Sequence, residues 1–287
     1  MIEIVHLEPA DLPAAAAVIE AAFGRPGAGE SLRRGYELQP QGYFCARRDG
    51  EIVGTVGAQR YQAPGSASAV ASIGVMTVHP AVQRQGVGTR LMRHVLGYLA
   101  TAGYPTAFLE ASAAGAPLYR KLGFVACGET LRMARDGSTP AAPAPHGTVR
   151  PMLDADLPAV SGYDAQVFGA VRPAVIRAAL ERAQGPAFIV RDGTPRPAGY
   201  LFVVGGLLGP WSAGSPSIAE ELLRTALDCC QGVGLRVTFP ADNTAGRTLL
   251  ARYGFCEIEN LQHMRLGPAA DARRRQEYYG QASLTLG

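Results

Sequence analysis

Between Val75 and Leu91 the chain reads VMTVHPAVQRQGVGTRL, and this stretch holds the residues whose types and spacing could do chemistry. A β-rich run ends at Val78, a turn follows through His79 and Pro80, and Gln83-x-x-Gly86-x-Gly88 then opens a helical pattern with Leu91, Val95 and Leu99 on one face. Glycines there let the backbone approach an anion closely. The first turn of a helix also leaves its N–H groups unpaired at the positive end of the helix dipole. Together these predict a cradle for a pyrophosphate where Gln83-x-x-Gly86-x-Gly88 leads into the helix. The spacing is not that of a P-loop, and Leu91 stands where a Rossmann fingerprint needs its third glycine. A second candidate lies downstream, where Tyr119 sits on a short helix that opens at Pro117 and closes before Gly123. His79 reads as a loop residue, a histidine before proline at a strand end.

The elements that must position these residues read as α/β with a mixed sheet. Strands are expected at Ile2 to Leu7, Tyr43 to Arg48, Ile52 to Tyr61, Ala71 to Val78 and Thr106 to Ala111, with a final strand pair running through Met133. Helices are expected at Asp11 to Phe23 and Gly88 to Ala102, with a loop or helical stretch up to Gln39.

The chain then repeats itself. Asp11-Leu12-Pro13-Ala14 and Phe23-Gly24 recur 145 positions later as Asp156-Leu157-Pro158-Ala159 and Phe168-Gly169. Arg48-Asp49-Gly50, a D-G signal suited to a tight hairpin, recurs at Arg191-Asp192-Gly193. Gly123-Phe124 and Met133 recur 131 positions later as Gly254-Phe255 and Met264. Matching words in one order with drifting offsets indicate a duplication whose second copy lost about a dozen residues in its middle. The expected organisation is a first copy over residues 1–135, a linker over 136–148, a second copy over 149–267 and a tail over 268–287.

Two separated motifs, Gln83-Arg84-Gln85-Gly86-Val87-Gly88 before a helix and Leu118-Tyr119-Arg120-Lys121-Leu122-Gly123-Phe124 after it, resemble the GNAT superfamily of N-acetyltransferases. The second copy resembles the C-terminal half of two-domain members of that family. The resemblance implies two tandem GNAT folds and acetyl-CoA as co-substrate. It also implies a pantetheine arm lying between the splayed ends of two strands, held by main-chain groups of Met76, Thr77 and Val78. The pyrophosphate would rest on Gln83, Arg84, Gln85, Gly86, Val87, Gly88 and Thr89. Tyr119 takes the place of the family's general acid, where a phenol could protonate the leaving thiolate; the competing reading is a half-buried packing residue. Many members carry Asn after the second core strand; this chain has Ser112 there, a candidate for part of that role. Glu110 and Glu129 are both candidates for a general base acting through water, or for solvated strand residues. The implied acceptor is a small-molecule or peptide amine.

In the second copy Leu208 to Pro216 lacks the phosphate motif, and Leu250 stands where Tyr119 does, so this copy reads as silent. Asn243 matches the family's Asn position, and Trp211 is either a wall of the acceptor pocket or core. Five cysteines without a C-x-x-C pair, and no histidine cluster near them, speak against a metal site. A net charge of +3 is too small to argue for nucleic acid, and Arg273 to Arg275 read as part of a solvated tail. With no basic start and no apolar run able to span a bilayer, the expected location is the cytoplasm, without membrane contact. A non-catalytic acyl-CoA sensor is the alternative function.

Overall fold

The computed structural model describes residues 1–25, 27–62, 69–138, 149–183, 186–268 and 272–287. The first copy comprises β1 (Ile2–His6), α1 (Leu12–Phe23), α2 (Glu30–Leu38), β2 (Tyr43–Arg48), β3 (Glu51–Gln62), β4 (Ala69–Val78), α3 (Val87–Thr101), β5 (Thr106–Ala111), α4 (Ala116–Lys121) and β6 (Val125–Arg135). The second comprises β7 (Val149–Pro151), α5 (Leu157–Phe168), α6 (Pro173–Ala183), β8 (Ala187–Val190), β9 (Gly199–Val204), β10 (Leu207–Ala213), α7 (Pro216–Cys229), β11 (Leu235–Pro240), α8 (Thr244–Arg252) and β12 (Cys256–Leu266), and β13 (Tyr278–Gly280) follows. Most of the expected linker, residues 139–148, lies outside the described residues.

The repeated words are the punctuation of this architecture. Phe23-Gly24 and Phe168-Gly169 end α1 and α5, each glycine closing its helix in the left-handed conformation at φ 61° and 81°. Gly123 and Gly254 turn the chain out of α4 and α8 at φ 91° and 81°, placing Phe124 and Phe255 in the core. Asp49 and Gly50, at φ 52° and 87°, make the two-residue hairpin between β2 and β3. The matching Asp192-Gly193 departs from expectation. It lies in a longer loop between Val190 and Gly199, where Asp192 Oδ1 accepts from Thr194 instead of closing a tight hairpin.

All described strands belong to one sheet, in the order β1-β2-β3-β4-β5-β12-β6-β11-β10-β9-β8-β7, with β13 alongside β10. The expected strand pair at the end of the first copy is absent from that copy. β6 is a single strand whose neighbours, β12 and β11, both come from the second copy, while β12 reaches back to pair antiparallel with β5. The two copies have exchanged their last strands. Leu131 and Met133 of β6 are buried in the core of the second copy, and Met264 of β12 in that of the first. Burying one such side chain is worth roughly 1.5–3 kcal/mol. Neither half can keep its core without the other, so the division into residues 1–135 and 149–267 describes chain order and not how the strands are distributed.

The tail expected to be solvated is built into the fold. Arg172, 3% exposed, donates from Nη1 to the carbonyls of Leu286 (2.9 Å) and Gly287 (2.7 Å) while its Nε donates to Asp164 (2.8 Å). Tyr278, Tyr279, Gln281, Thr285 and Leu286 are buried. The basic run is engaged as well: Arg273 bonds His263, Arg274 reaches Glu277 and Arg275 donates to Asp242 at 2.8–2.9 Å.

Candidate active site

The site is made by a parting of strands. β4 and β5 pair in parallel only from Val70 opposite Thr106 to Ile73 opposite Leu109. Beyond Ile73, β4 carries an extra residue against β3, the register moving from Gly57 opposite Gly74 to Thr55 opposite Thr77. This bulge places Val75 at φ 45°, a conformation that a β-branched residue rarely adopts. Buried Thr55 holds it, donating to Val75 O at 2.7 Å and meeting Thr77 Oγ1 at 2.8 Å. From Gly74 to Val78 the edge of β4 that faces β5 is therefore free of a strand partner, which is what an extended ligand backbone needs. Met76, Thr77 and Val78 lie on this edge.

At the end of β4 the cradle follows. Arg84 and Gly86 both take left-handed conformations, at φ 62° and 81°, and alternation of this kind curls successive N–H groups around an anion. Gly86 is the residue preceding α3, and no side chain caps that helix. A Cβ on Gly86 would meet nothing within 4 Å, so the space above it is open, whereas one on Gly88 would lie 3.3 Å from Met76 and 3.4 Å from Leu118. Gly86 thus makes the turn and leaves open space beside it, and Gly88 serves close packing of α3 on β4. Gln83 folds back to donate to Val78 O at 3.1 Å, and Gln85 accepts from Arg48 at 3.4 Å, so these two side chains brace the loop. Val87 is buried in the core and Thr89 half-buried, which leaves their main-chain N–H groups as what they can offer a phosphate.

Where the strands part, a cavity of about 400 Å³ opens onto Gly74, Val75 and Met76 on one side and Glu110, Ser112 and Tyr119 on the other. Tyr119 is 7% exposed, its ring edge-on to Phe124 at 6.0 Å and against Gly115, where a Cβ would come within 3.1 Å of it. Its hydroxyl has no hydrogen-bond partner among the described residues. Burial raises its pKa to about 12, so the phenol keeps its proton at neutral pH. Ser112 Oγ accepts from Gly115 N at 3.2 Å and lines the cavity.

Of the two carboxylates, Glu110 reaches the cavity and Glu129 does not. Glu129 is exposed and accepts from Asn260 at 3.2 Å, the solvated strand residue of the alternative reading. Glu110 Oε1 lies 3.0 Å from His263 Nδ1 and accepts from Gln281 at 3.1 Å. Burial alone would raise its pKa, but His263 and Arg273 outweigh that and hold it at about 2, so Glu110 is a fixed anion. So low a basicity suits it to hold a cation rather than to remove a proton.

The second copy repeats the bulge, between Leu208 and Trp211, and the parting, since β10 pairs with β11 only at Leu207 and Leu208. Its cleft is filled by the chain itself. β13 pairs antiparallel with β10, Gly280 opposite Trp211 and Tyr278 opposite Ser212, and Gln281 N donates to Thr238 O of β11 at 2.7 Å. Asn243 is spent on this arrangement: its Oδ1 accepts from Gly246 and its Nδ2 donates to Tyr278 O at 3.1 Å. Only two residues separate β10 from the helix after the cleft, which is capped by Ser215, so no loop corresponds to residues 79–86. The β9–β10 hairpin is shortened as well, so the missing residues are divided between two places and not confined to the cradle. Leu250, in the place of Tyr119, and Trp211 are both fully buried core, and Trp211 lines neither the cavity at Tyr119 nor its neighbour.

The sequence matches the Acetyltransferase (GNAT) family over residues 13–124 and the Acetyltransferase (GNAT) domain over residues 160–280, so both copies are covered. The chain belongs to the GNAT superfamily. It is an acyltransferase of tandem GNAT architecture. A protein from Pyrococcus horikoshii with a presumed acetyltransferase activity superposes with a TM-score of 0.84 at 25% identity, covering 100% of this chain and 96% of that one. A GCN5-related N-acetyltransferase from Sphaerobacter thermophilus gives 0.67 at 19% identity over 95% and 98% of the two chains. A tandem GNAT protein from the clavulanic acid biosynthesis pathway gives 0.65 at 17% over 94% and 100%. These last two show the shared fold. No curated protein matches the sequence significantly. No helix among the described residues of this GNAT protein is long and apolar enough to cross a membrane.

The sequence motifs drew attention to Tyr119 and to the loop before α3, but gave no sign of other residues that line the cavity. Arg132, Glu259 and Leu261 enter the cavity on the exchanged strands, and Leu284 on the segment after β13. No local pattern marks them, because their position depends on a pairing between copies.

Proposed function

We propose that the first copy transfers an acetyl group from acetyl-CoA to a primary amine directly, and that the second copy closes the acceptor pocket without a cofactor site of its own. The observation that carries this reading is the unpartnered, protonated hydroxyl of Tyr119 in the cavity where β4 and β5 part. The free edge of Met76 to Val78 would hold the pantetheine arm, and the N–H groups from Arg84 to Thr89 the pyrophosphate. When the amine nitrogen bonds to the thioester carbon and the C–S bond breaks, Tyr119 gives its proton to the departing sulfur. The cationic amine, held at Glu110, first gives one proton to water so that its lone pair is free to attack, and the second proton, shed by the nitrogen after attack, returns through water to the Tyr119 phenolate and restores the phenol. We place this activity in the cytoplasm, where acyl-CoA and amines meet.

Initial rates with both substrates varied are expected to give intersecting double-reciprocal lines. With Tyr119 at about 12, kcat/KM should show no descending limb below about pH 10. Parallel lines would establish an acyl-enzyme and overturn direct transfer.

A further inference from the structure

The cavity at Tyr119 adjoins a second one of about 250 Å³, and the two share Arg25, Ala28, Arg132 and Leu284 as lining. This second cavity lies over the joined sheet. Arg236 of β11 stands opposite Ala134 of β6, and Thr238 opposite Arg132, so these side chains share one face. Arg25 and Arg34 come down on that face from the α1–α2 segment, and Arg34 reaches to within 3.5 Å of where a Cβ on Gly205 would stand. None of residues 76–89 lines it, so it lies away from the cradle and on the acceptor side.

Four arginines converge here, and only two are neutralised nearby. Arg132 pairs with Glu259, and Arg34 Nε lies 3.4 Å from Glu30. Arg25 and Arg236 have no carboxylate partner among the described residues. Burial and then the facing charges of Arg25, Arg132 and Arg34 lower the pKa of Arg236, as expected where like charges are held together without a counter-ion. At the other end, Glu110, whose buried Oε2 has no hydrogen-bond partner among the described residues, is among the residues lining the cavity that holds Tyr119. A cationic end and an anionic end therefore sit in adjoining cavities of small-molecule size.

We infer that the acceptor is a small amine bearing an anionic group, a carboxylate or a phosphate, which Arg25 and Arg236 bind while the amine is presented at Glu110 and Tyr119. This rests on the acetyl-transfer reading above and adds the acceptor's chemical class. The second copy then contributes a specificity determinant, Arg236, to the site of the first.

The test uses matched amines on the full chain: L-leucine with L-leucinamide, 5-aminopentanoate with 5-aminopentanamide, and O-phosphoethanolamine with ethanolamine. Charge-assisted hydrogen bonds of this kind should favour the anionic member of at least one pair by about 10- to 100-fold in kcat/KM. Arg25→Gln and Arg236→Gln should each reduce that ratio about tenfold while acetyl-CoA affinity stays unchanged. Equal use of both members, or variants that leave the ratio intact, would overturn the inference. Calorimetric titration of the N-acetylated acids and amides in the presence of CoA reads the same preference without turnover. Failure of acetyl-CoA to bind would sink the transfer reading, whereas loss of the acid-over-amide preference alone would sink only the anionic acceptor.

Discussion

Replacing Tyr119 by Phe is expected to lower kcat by about 100-fold or more while leaving the affinity for acetyl-CoA within about twofold, the range typical of a lost general acid. The ring keeps its edge-on contact with Phe124 and its seat against Gly115, so the cavity retains its shape. The hydroxyl has no protein partner among the described residues, so its removal strands no buried donor or acceptor, and stability should change by less than about 1 kcal/mol. Any loss of rate is then a loss at the departing sulfur. Single-turnover rates and a calorimetric titration on the same preparation separate the two quantities. A kcat within about threefold of the wild type would return Tyr119 to a packing role.

Replacing Gly86 by Asp is expected to weaken acetyl-CoA binding by at least about 100-fold, or about 2.7 kcal/mol. Three effects compete. A side chain at φ 81° costs about 1 kcal/mol, because a Cβ crowds the following carbonyl in the left-handed region. Against this, an aspartate just before α3 can accept from that helix's uncapped N–H groups, worth about 1 kcal/mol. These nearly cancel, and no neighbour stands within 4 Å to clash, so the fold should survive with a similar melting temperature. The third effect is not offset: the carboxylate takes the N–H groups meant for phosphate and repels it. Gly86→Ala isolates the conformational cost and should weaken binding less than about tenfold. Equal losses in the two variants would mean that backbone shape, and not anion binding, is what Gly86 provides.

What could be read in the sequence was encoded locally. The glycines at 24, 50, 86 and 123 each sit at a positive φ, and the four-residue spacing of Leu91, Val95 and Leu99 fixes the buried face of α3. The exchange of β6 and β12 could not be read, because duplication has given Val125–Arg135 and Cys256–Leu266 equivalent places and patterns. Either strand satisfies the alternation that β5 or β11 demands, and only the three-dimensional closure decides. The plug was invisible for a related reason. Tyr278–Gly280 is three residues long and follows a charged run, yet it is held by β10, far away in the chain. Arg25 and Arg236 meet only because the exchanged strands bring β11 under the α1–α2 segment.

One live cleft and one self-filled cleft in a single chain is the central claim, and the stoichiometry of acetyl-CoA binding tests it most directly. Calorimetric titration of the full chain should give one site per chain. Two sites would mean that β13 yields its place to a cofactor, and no binding would remove the first copy's cleft from acyl-CoA chemistry altogether.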